Sequence, residues 1–237
     1  MRRVIQCLLL ATVLLLTATP ALCDKADDYY NRAAFDVLRN NFKAAIADST
    51  KAIERRPDFV EALLLRAYAE QSLGKINEAF QDIAKAIQLK PDLPTAYIVR
   101  GRLKEQLHVP KGALEDFNKA IQLGPDKSTD GMAYIGRAHL RLELGDPDGA
   151  IEDFNTACKL SPGIDKQLGD EFAVPFYDRG SAKLAKGDID GAIEDFTRAI
   201  QLRPNYEAPY TGRADAKRAK GDINGANLDL ATAAALR

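Results

Sequence analysis

The sequence predicts an all-α protein built from repeated antiparallel helix pairs, and three observations carry that prediction. A short phrase ending in proline recurs: Ala-Ile-Glu-Arg-Arg-Pro57, Ala-Ile-Gln-Leu-Lys-Pro91, Ala-Ile-Gln-Leu-Gly-Pro125, Ala-Cys-Lys-Leu-Ser-Pro162 and Ala-Ile-Gln-Leu-Arg-Pro204, spaced by 34, 34, 37 and 42 residues. Between these prolines the apolar residues fall at helical spacing in two runs separated by a short break. The chain holds 37 alanines in 237 residues and no tryptophan, about twice the usual alanine share and a composition of strong helix formers.

The first 23 residues stand apart. Arg2 and Arg3 precede an apolar stretch centred on Leu8–Leu16, and Pro20 and the small exit Ala21-Leu22-Cys23 lead to Asp24-Lys25. A basic start, a short apolar centre and a small-residue exit make residues 1-23 a signal peptide, with cleavage expected after Cys23. Two other readings compete. The uncharged run Val4–Cys23 has the length of an anchor, though Gln6, the threonines and Pro20 dilute it. An acylated Cys23 would want a small residue before it, where Leu22 stands. Export to a periplasmic or secreted location is the expectation, and the repeat style leans bacterial.

Residues 24-237 read as a chain of six units, near 26-59, 60-93, 94-127, 131-164, 173-206 and 207-237, with insertions at Ser128–Asp130 and Asp165–Phe172. The unit 173-206 shows how each is made. Phe176, Gly180 and Leu184 form one helical stripe; Gly187-Asp188 breaks it; Ala192, Phe196, Ala199 and Ile200 form a second, and Pro204 stops that. Small residues let the two helices approach while the aromatics fill the space between them.

This grammar resembles the tetratricopeptide repeat, a helix–turn–helix of 34 residues. In the third unit its positions fall on Tyr97, Gly101, Ala113, Phe117, Ala120 and Pro125, and the likeness runs through the whole of 24-237. The first unit is the weakest match, with Ser49 where later units have Ile83, Phe117, Phe154, Phe196 and Leu230. The resemblance implies a right-handed superhelical solenoid whose first helices line a concave face.

One pair recurs in every unit. Arg32, Arg66, Arg100, Arg137, Arg179 and Arg213 sit before the small residue of the first helix, and Asp48, Asp82, Asp116, Asp153, Asp195 and Asp229 before the aromatic position of the second. A matched acid at fixed offset argues for a structural ion pair over a row of arginines awaiting an acidic ligand. At the far end, the apolar column Ile46, Phe80, Leu114, Ile151, Ile193 becomes Asn227, and Ile53, Ile87, Ile121, Cys158, Ile200 becomes Ala234. The last unit thus reads as its own cap, favouring a monomer, with Ala231–Leu236 as the rival self-association patch.

Catalytic patterns are missing from the sequence. His108, His139 and Cys158 stand at no zinc spacing, the glycines follow the repeat turns, and the carboxylates follow the repeat period. Cys158 replaces isoleucine in its column and reads as a buried small hydrophobe. No enzyme, metal or cofactor is expected, and a formal net charge of −1 lacks the basic footprint of a nucleic-acid binder.

The expected role is binding of a protein or peptide through the concave face, with Tyr30, Leu64, Tyr68, Ile98, Arg102, Ile135, His139 and Tyr177 as contacts. Some family members grip acidic chaperone tails through lysines, asparagines and an arginine on this face. Apart from Asn31 that set is not matched here, where Leu64, Leu65, Thr95 and Val99 stand. The insertion Asp165–Phe172 is a second candidate contact. The alternative role is a membrane-tethered scaffold retaining residues 4-23 as an anchor.

Overall fold

A computed structural model describes residues 25–124 and 127–236, with backbone alone for 127–130. The expected signal peptide and Pro125 lie outside the described residues. Among the described residues there are twelve helices and no strand. They are α1 (Lys25–Leu38), α2 (Phe42–Arg55), α3 (Val60–Ser72), α4 (Ile76–Leu89), α5 (Pro94–Gln106) and α6 (Pro110–Leu123), then α7 (Lys127–Glu143), α8 (Pro147–Leu160), α9 (Ile164–Ala185), α10 (Ile189–Leu202), α11 (Glu207–Lys220) and α12 (Ile223–Ala235). Consecutive pairs match the six units, and the chain divides into two compact units after Gly136, inside α7.

The turn within each pair repeats one backbone device. Asn40, Gly74, His108, Gly145, Gly187 and Gly221 all take positive φ, between 56° and 91°. Glycine is the residue that adopts this conformation without cost, and asparagine tolerates it. His108 carries the same φ of 56° with a full side chain. In the last three pairs an aspartate then caps the second helix: Asp146, Asp188 and Asp222 accept from the amides of Gly149, Gly191 and Gly225 at 2.8–3.0 Å.

In the first unit, the core at its N-terminal end gathers Tyr30, Val37, Ile53, Phe59, Leu63 and Leu65. Tyr30 and Phe59 meet with ring centroids 5.1 Å apart. Further along, Ile83 packs with Ala67, Ala79 and Leu103. Phe117 is fully buried, and a Cβ on Gly101 would stand 3.1 Å from its ring. Gly136 in α7 meets the same ring so closely that no side chain fits there. The second unit repeats this notch: Phe196 is fully buried between Gly180 and Gly212, where added Cβ atoms would fall 3.0 and 2.7 Å from it. Each enclosed phenylalanine contributes about 2–3 kcal/mol of transfer free energy.

Residue sizes at the notch compensate. Leu65 and Val99 hold the place of Gly136 and Gly212, and the second-helix residues there are Ser49 and Ile83 instead of phenylalanine. The weak first repeat is therefore a matched small–large exchange, with Ser49 and Leu65 both buried.

Both insertions lengthen helices. Residues 128–130 belong to α7, and 165–172 belong to the 22-residue α9. Pro175 thus lies inside α9, whereas its counterpart Pro209 sits in the first turn of α11. Leu168 and Phe172 are buried at 5% and 0% exposure, so the apolar part of this insertion is core and is not available as a contact surface. Phe172 stacks on Phe154 with centroids 4.2 Å apart.

Candidate functional site

The first helices are held in place by the arginine–aspartate ladder. All six pairs form, with closest N–O distances of 2.6–2.7 Å. In the last five, the guanidinium spans both carboxylate oxygens through Nε and a terminal nitrogen. The aspartates are only 2–6% exposed, so each is a buried charge that requires its partner. Hydrogen bonding to the aspartate, against the opposing effect of burial, raises the pKa of Arg66, Arg100 and Arg179. The arginines also stack on aromatics three residues earlier: Arg32 on Tyr29, Arg100 on Tyr97, Arg179 on Phe176, Arg213 on Tyr210. These contacts make the ladder structural and place its arginines outside the candidate ligand set.

A second cation, four residues after the arginine, escaped the sequence reading. Lys104, Arg141, Lys183 and Lys217 reach the same aspartates at 2.8–2.9 Å. Although burial opposes its charge, hydrogen bonds from Arg213 and Lys217 hold Asp229 below the usual carboxylate range. The column was visible as a basic residue one turn beyond each arginine in the last four repeats. The second repeat breaks it: Glu70 occupies that place, 7% exposed, with Oε2 lacking a hydrogen-bond partner. Glu70 lies 4.0 Å from Arg66 Nε. Burial, reinforced by the charge on Asp82, pushes its carboxyl up to about 7.

The predicted contact residues divide into two groups. Tyr30, Ile98 and Ile135 are 4%, 2% and 3% exposed and pack within the first unit. Leu64, Tyr68, Arg102, His139 and Tyr177 are half-buried, each showing part of its surface to solvent. On the first unit, Tyr68 meets Phe42 edge-on at 6.1 Å between centroids. One turn further along α3, Gln71 donates to Gln106 of α5 at 2.7 Å. Arg102, at the equivalent place to Tyr68 one repeat on, makes no hydrogen bond or ion pair among the described residues, and its Nε is sealed from solvent.

On the second unit, His139 lies over Phe172, with centroids 5.6 Å apart, and its Nε2 is 2.9 Å from Glu171 Oε2. The insertion thus orients His139 as well as filling core. Tyr177 contacts Phe196 and Tyr206 at centroid separations of 5.8 and 5.6 Å. Val174 (40% exposed), Asp178, Ser181 and Ala182 continue this face along α9.

The remaining sequence candidates offer no reactive centre. Cys158 is half-buried, less enclosed than its isoleucine column suggested, and burial raises its thiol pKa. No group of three or more metal-ligating side chains gathers among the described residues. No helix among them is long and apolar enough to cross a membrane. At the far end Asn227 and Ala234 are exposed as expected, but Ile223 and Leu228 are also exposed, at 51% and 68%.

Repeated helix pairs joined by a positive-φ turn and locked by a buried ion pair define a helical-repeat, protein-interaction class of fold. The chain belongs to the tetratricopeptide repeat family: family models described as tetratricopeptide repeat match residues 37–94, 133–164 and 175–206. Among curated proteins, none matches the sequence. Solved structures share the fold. PilF of Pseudomonas aeruginosa aligns with a TM-score of 0.64 at 15% identity, covering 86% of this chain and 88% of that one. YrrB, a tetratricopeptide-repeat protein with an unusual peptide-binding site, gives 0.57 at 20% identity over 80% and 92% of the two chains. PilW, a type IV pilus biogenesis factor, gives 0.57 at 19% identity over 87% and 90%.

Proposed function

We propose that this protein is an exported, non-catalytic scaffold that binds a protein or peptide partner through the faces of its first helices. The observation that carries the reading is the division of labour across the repeat. The ladder and the glycine notches consume the charged and apolar residues that face neighbouring helices. The strip left over carries Leu64, Tyr68 and Arg102 on one unit and His139 and Tyr177 on the other, half-buried on rigid elements. Rigid aromatic and aliphatic anchors with a few polar groups suit an extended peptide or a partner helix. Peptide binding by YrrB, which shares the fold, supports the same reading. Export rests on the residue pattern of the first 23 positions.

The test is a crosslinking pull-down from the exported fraction, comparing wild type with a Tyr68→Ala/Tyr177→Ala variant whose circular dichroism stays helical. A partner captured by wild type and lost from the variant supports the reading. Equal capture by both sinks it. N-terminal sequencing of the mature protein should begin at Asp24; an intact Met1 would favour the tethered scaffold.

A further inference from the structure

The first repeat departs from the later ones at the place of the second cation. In the third to sixth repeats that cation reaches across its helix pair to the ladder aspartate at 2.8–2.9 Å. Lys104, Arg141 and Lys217 also donate to the carbonyls of Gly112, Gly149 and Gly225. In the first repeat the cation, the glycine and the aspartate correspond to Asp36, Ala44 and Asp48. With Arg32, Phe35 and Ala47 these three line a groove of about 610 Å³ between α1 and α2. Asn41 orients Asp36 there, its side-chain amide donating to the carboxylate at 3.2 Å. Asp48 is buried, yet its ladder contact is single-ended: one terminal nitrogen of Arg32 serves both oxygens, at 2.7 and 3.0 Å, and the Arg32 side chain is 62% exposed. Lys51 approaches the same aspartate at 3.3 Å. Phe35, with Arg39 over its ring, is 53% exposed, whereas its counterparts Ala69, Leu103, Leu140 and Ala216 are fully buried.

We propose that the groove between α1 and α2 receives a lysine side chain from a partner protein, seated where Lys104, Lys183 and Lys217 sit in their own repeats. Charge complementarity selects this occupant. The later repeats set one carboxylate against two cations, whereas the first sets two carboxylates against Arg32, with Lys51 farther off. The incoming ammonium ends between Asp36 and Asp48. Its four-carbon stem lies along Ala44, Ala47 and Phe35, in the way lysine stems cover apolar surface elsewhere. Because Asp48 is buried, the contact is a charge-assisted one shielded from bulk water. The groove shares no residue with the strip that carries Leu64, Tyr68 and Arg102, so the inference goes beyond peptide binding by the first helices and does not rest on it.

Two fluorescein-labelled dodecapeptide pools test it, identical except for lysine or glutamine at one central position, applied to the immobilised full chain. Wild type should retain the lysine pool about tenfold better, the effect of one charge-assisted contact to a buried acid. Asp36→Lys puts the chain's own lysine in the groove and should abolish the preference. Asp36→Asn should reduce it to about threefold, and carries the test if Asp36→Lys does not fold. Glu115→Lys, exposed on α6, changes the net charge equally and should leave the preference intact, as should Tyr68→Ala/Tyr177→Ala. The proposal is overturned if both pools are retained equally, if neither is retained, or if Asp36→Lys folds and keeps the preference. Loss of the preference in Glu115→Lys would mark a general attraction to acidic surface, and its loss in Tyr68→Ala/Tyr177→Ala would move the lysine to the first-helix strip; either overturns it. Wild-type dimers in sedimentation that Asp36→Lys dissolves would give the groove to a second copy of this chain and overturn the assignment to a separate partner.

Discussion

Replacing Glu70 offers the sharpest test of how the repeats are held together. In the third to sixth repeats the buried aspartate is clamped by two cations; in the second, Glu70 puts a carboxylate where the second cation belongs. Its carboxyl titrates at about 7 in the folded protein against an ordinary 4.5, chiefly through burial and then through Asp82. Between those values the folded state binds more protons than the unfolded one, so stability falls as pH rises through the window. The full shift corresponds to about 3 kcal/mol, and the slight solvent access of a 9% exposed side chain trims this to about 2 kcal/mol. Glu70→Gln should therefore stabilise the protein by about 2 kcal/mol at pH 8 and by less than about 1 kcal/mol at pH 5. Glu70→Lys should add to the gain by restoring the contact to Asp82. Urea unfolding at both pH values reads this, with hydrogen exchange in α3 and α4 guarding against piecemeal unfolding of a repeat array. A Glu70→Gln effect that is absent at pH 8, or equal at the two pH values, would refute the reasoning.

Three further outcomes follow from the same packing. Arg137→Ala leaves Asp153 buried with Arg141 alone, and should cost about 2–3 kcal/mol where Lys119→Ala on the surface costs under about 0.5; equal melting temperatures would contradict it. Gly212→Ala drives a methyl group into the Phe196 ring and should destabilise by about 1–3 kcal/mol. Adding Phe196→Leu should recover part of that loss, and strictly additive costs would show that the two do not share a notch. His108→Gly should stabilise by up to about 1 kcal/mol by relieving a φ of 56°, and thermal melting showing no gain would place the strain elsewhere.

The fold was largely legible because its cause is periodic. The ladder stands in fixed columns, so a contact needed once is visible six times, and a pattern of that kind outlasts the weak first repeat. The insertion was harder. Gly169 and Pro175 argue locally for a break, yet Leu168, Phe172 and Phe176 stand four apart, and this stripe against the core carries the helix through the proline. The candidate site was half legible. Periodicity identifies the face on which Tyr30, Ile98 and Ile135 lie, but a first helix is covered by neighbours on several sides. How wide a strip stays open depends on the sizes of those neighbours, which is why Leu64 and Tyr177 retain exposure in the column where Tyr30, Ile98 and Ile135 lose it.

Site-specific photocrosslinking tests the central claim most directly. A benzophenone side chain placed at Tyr68 or Tyr177, on the first-helix faces, is compared with one at Gln81 or Glu194, exposed on second helices. Binding by the first-helix faces predicts partner adducts from Tyr68 and Tyr177 and none above background from Gln81 and Glu194. Adducts arising equally from all four positions, or only from Gln81 and Glu194, would contradict it.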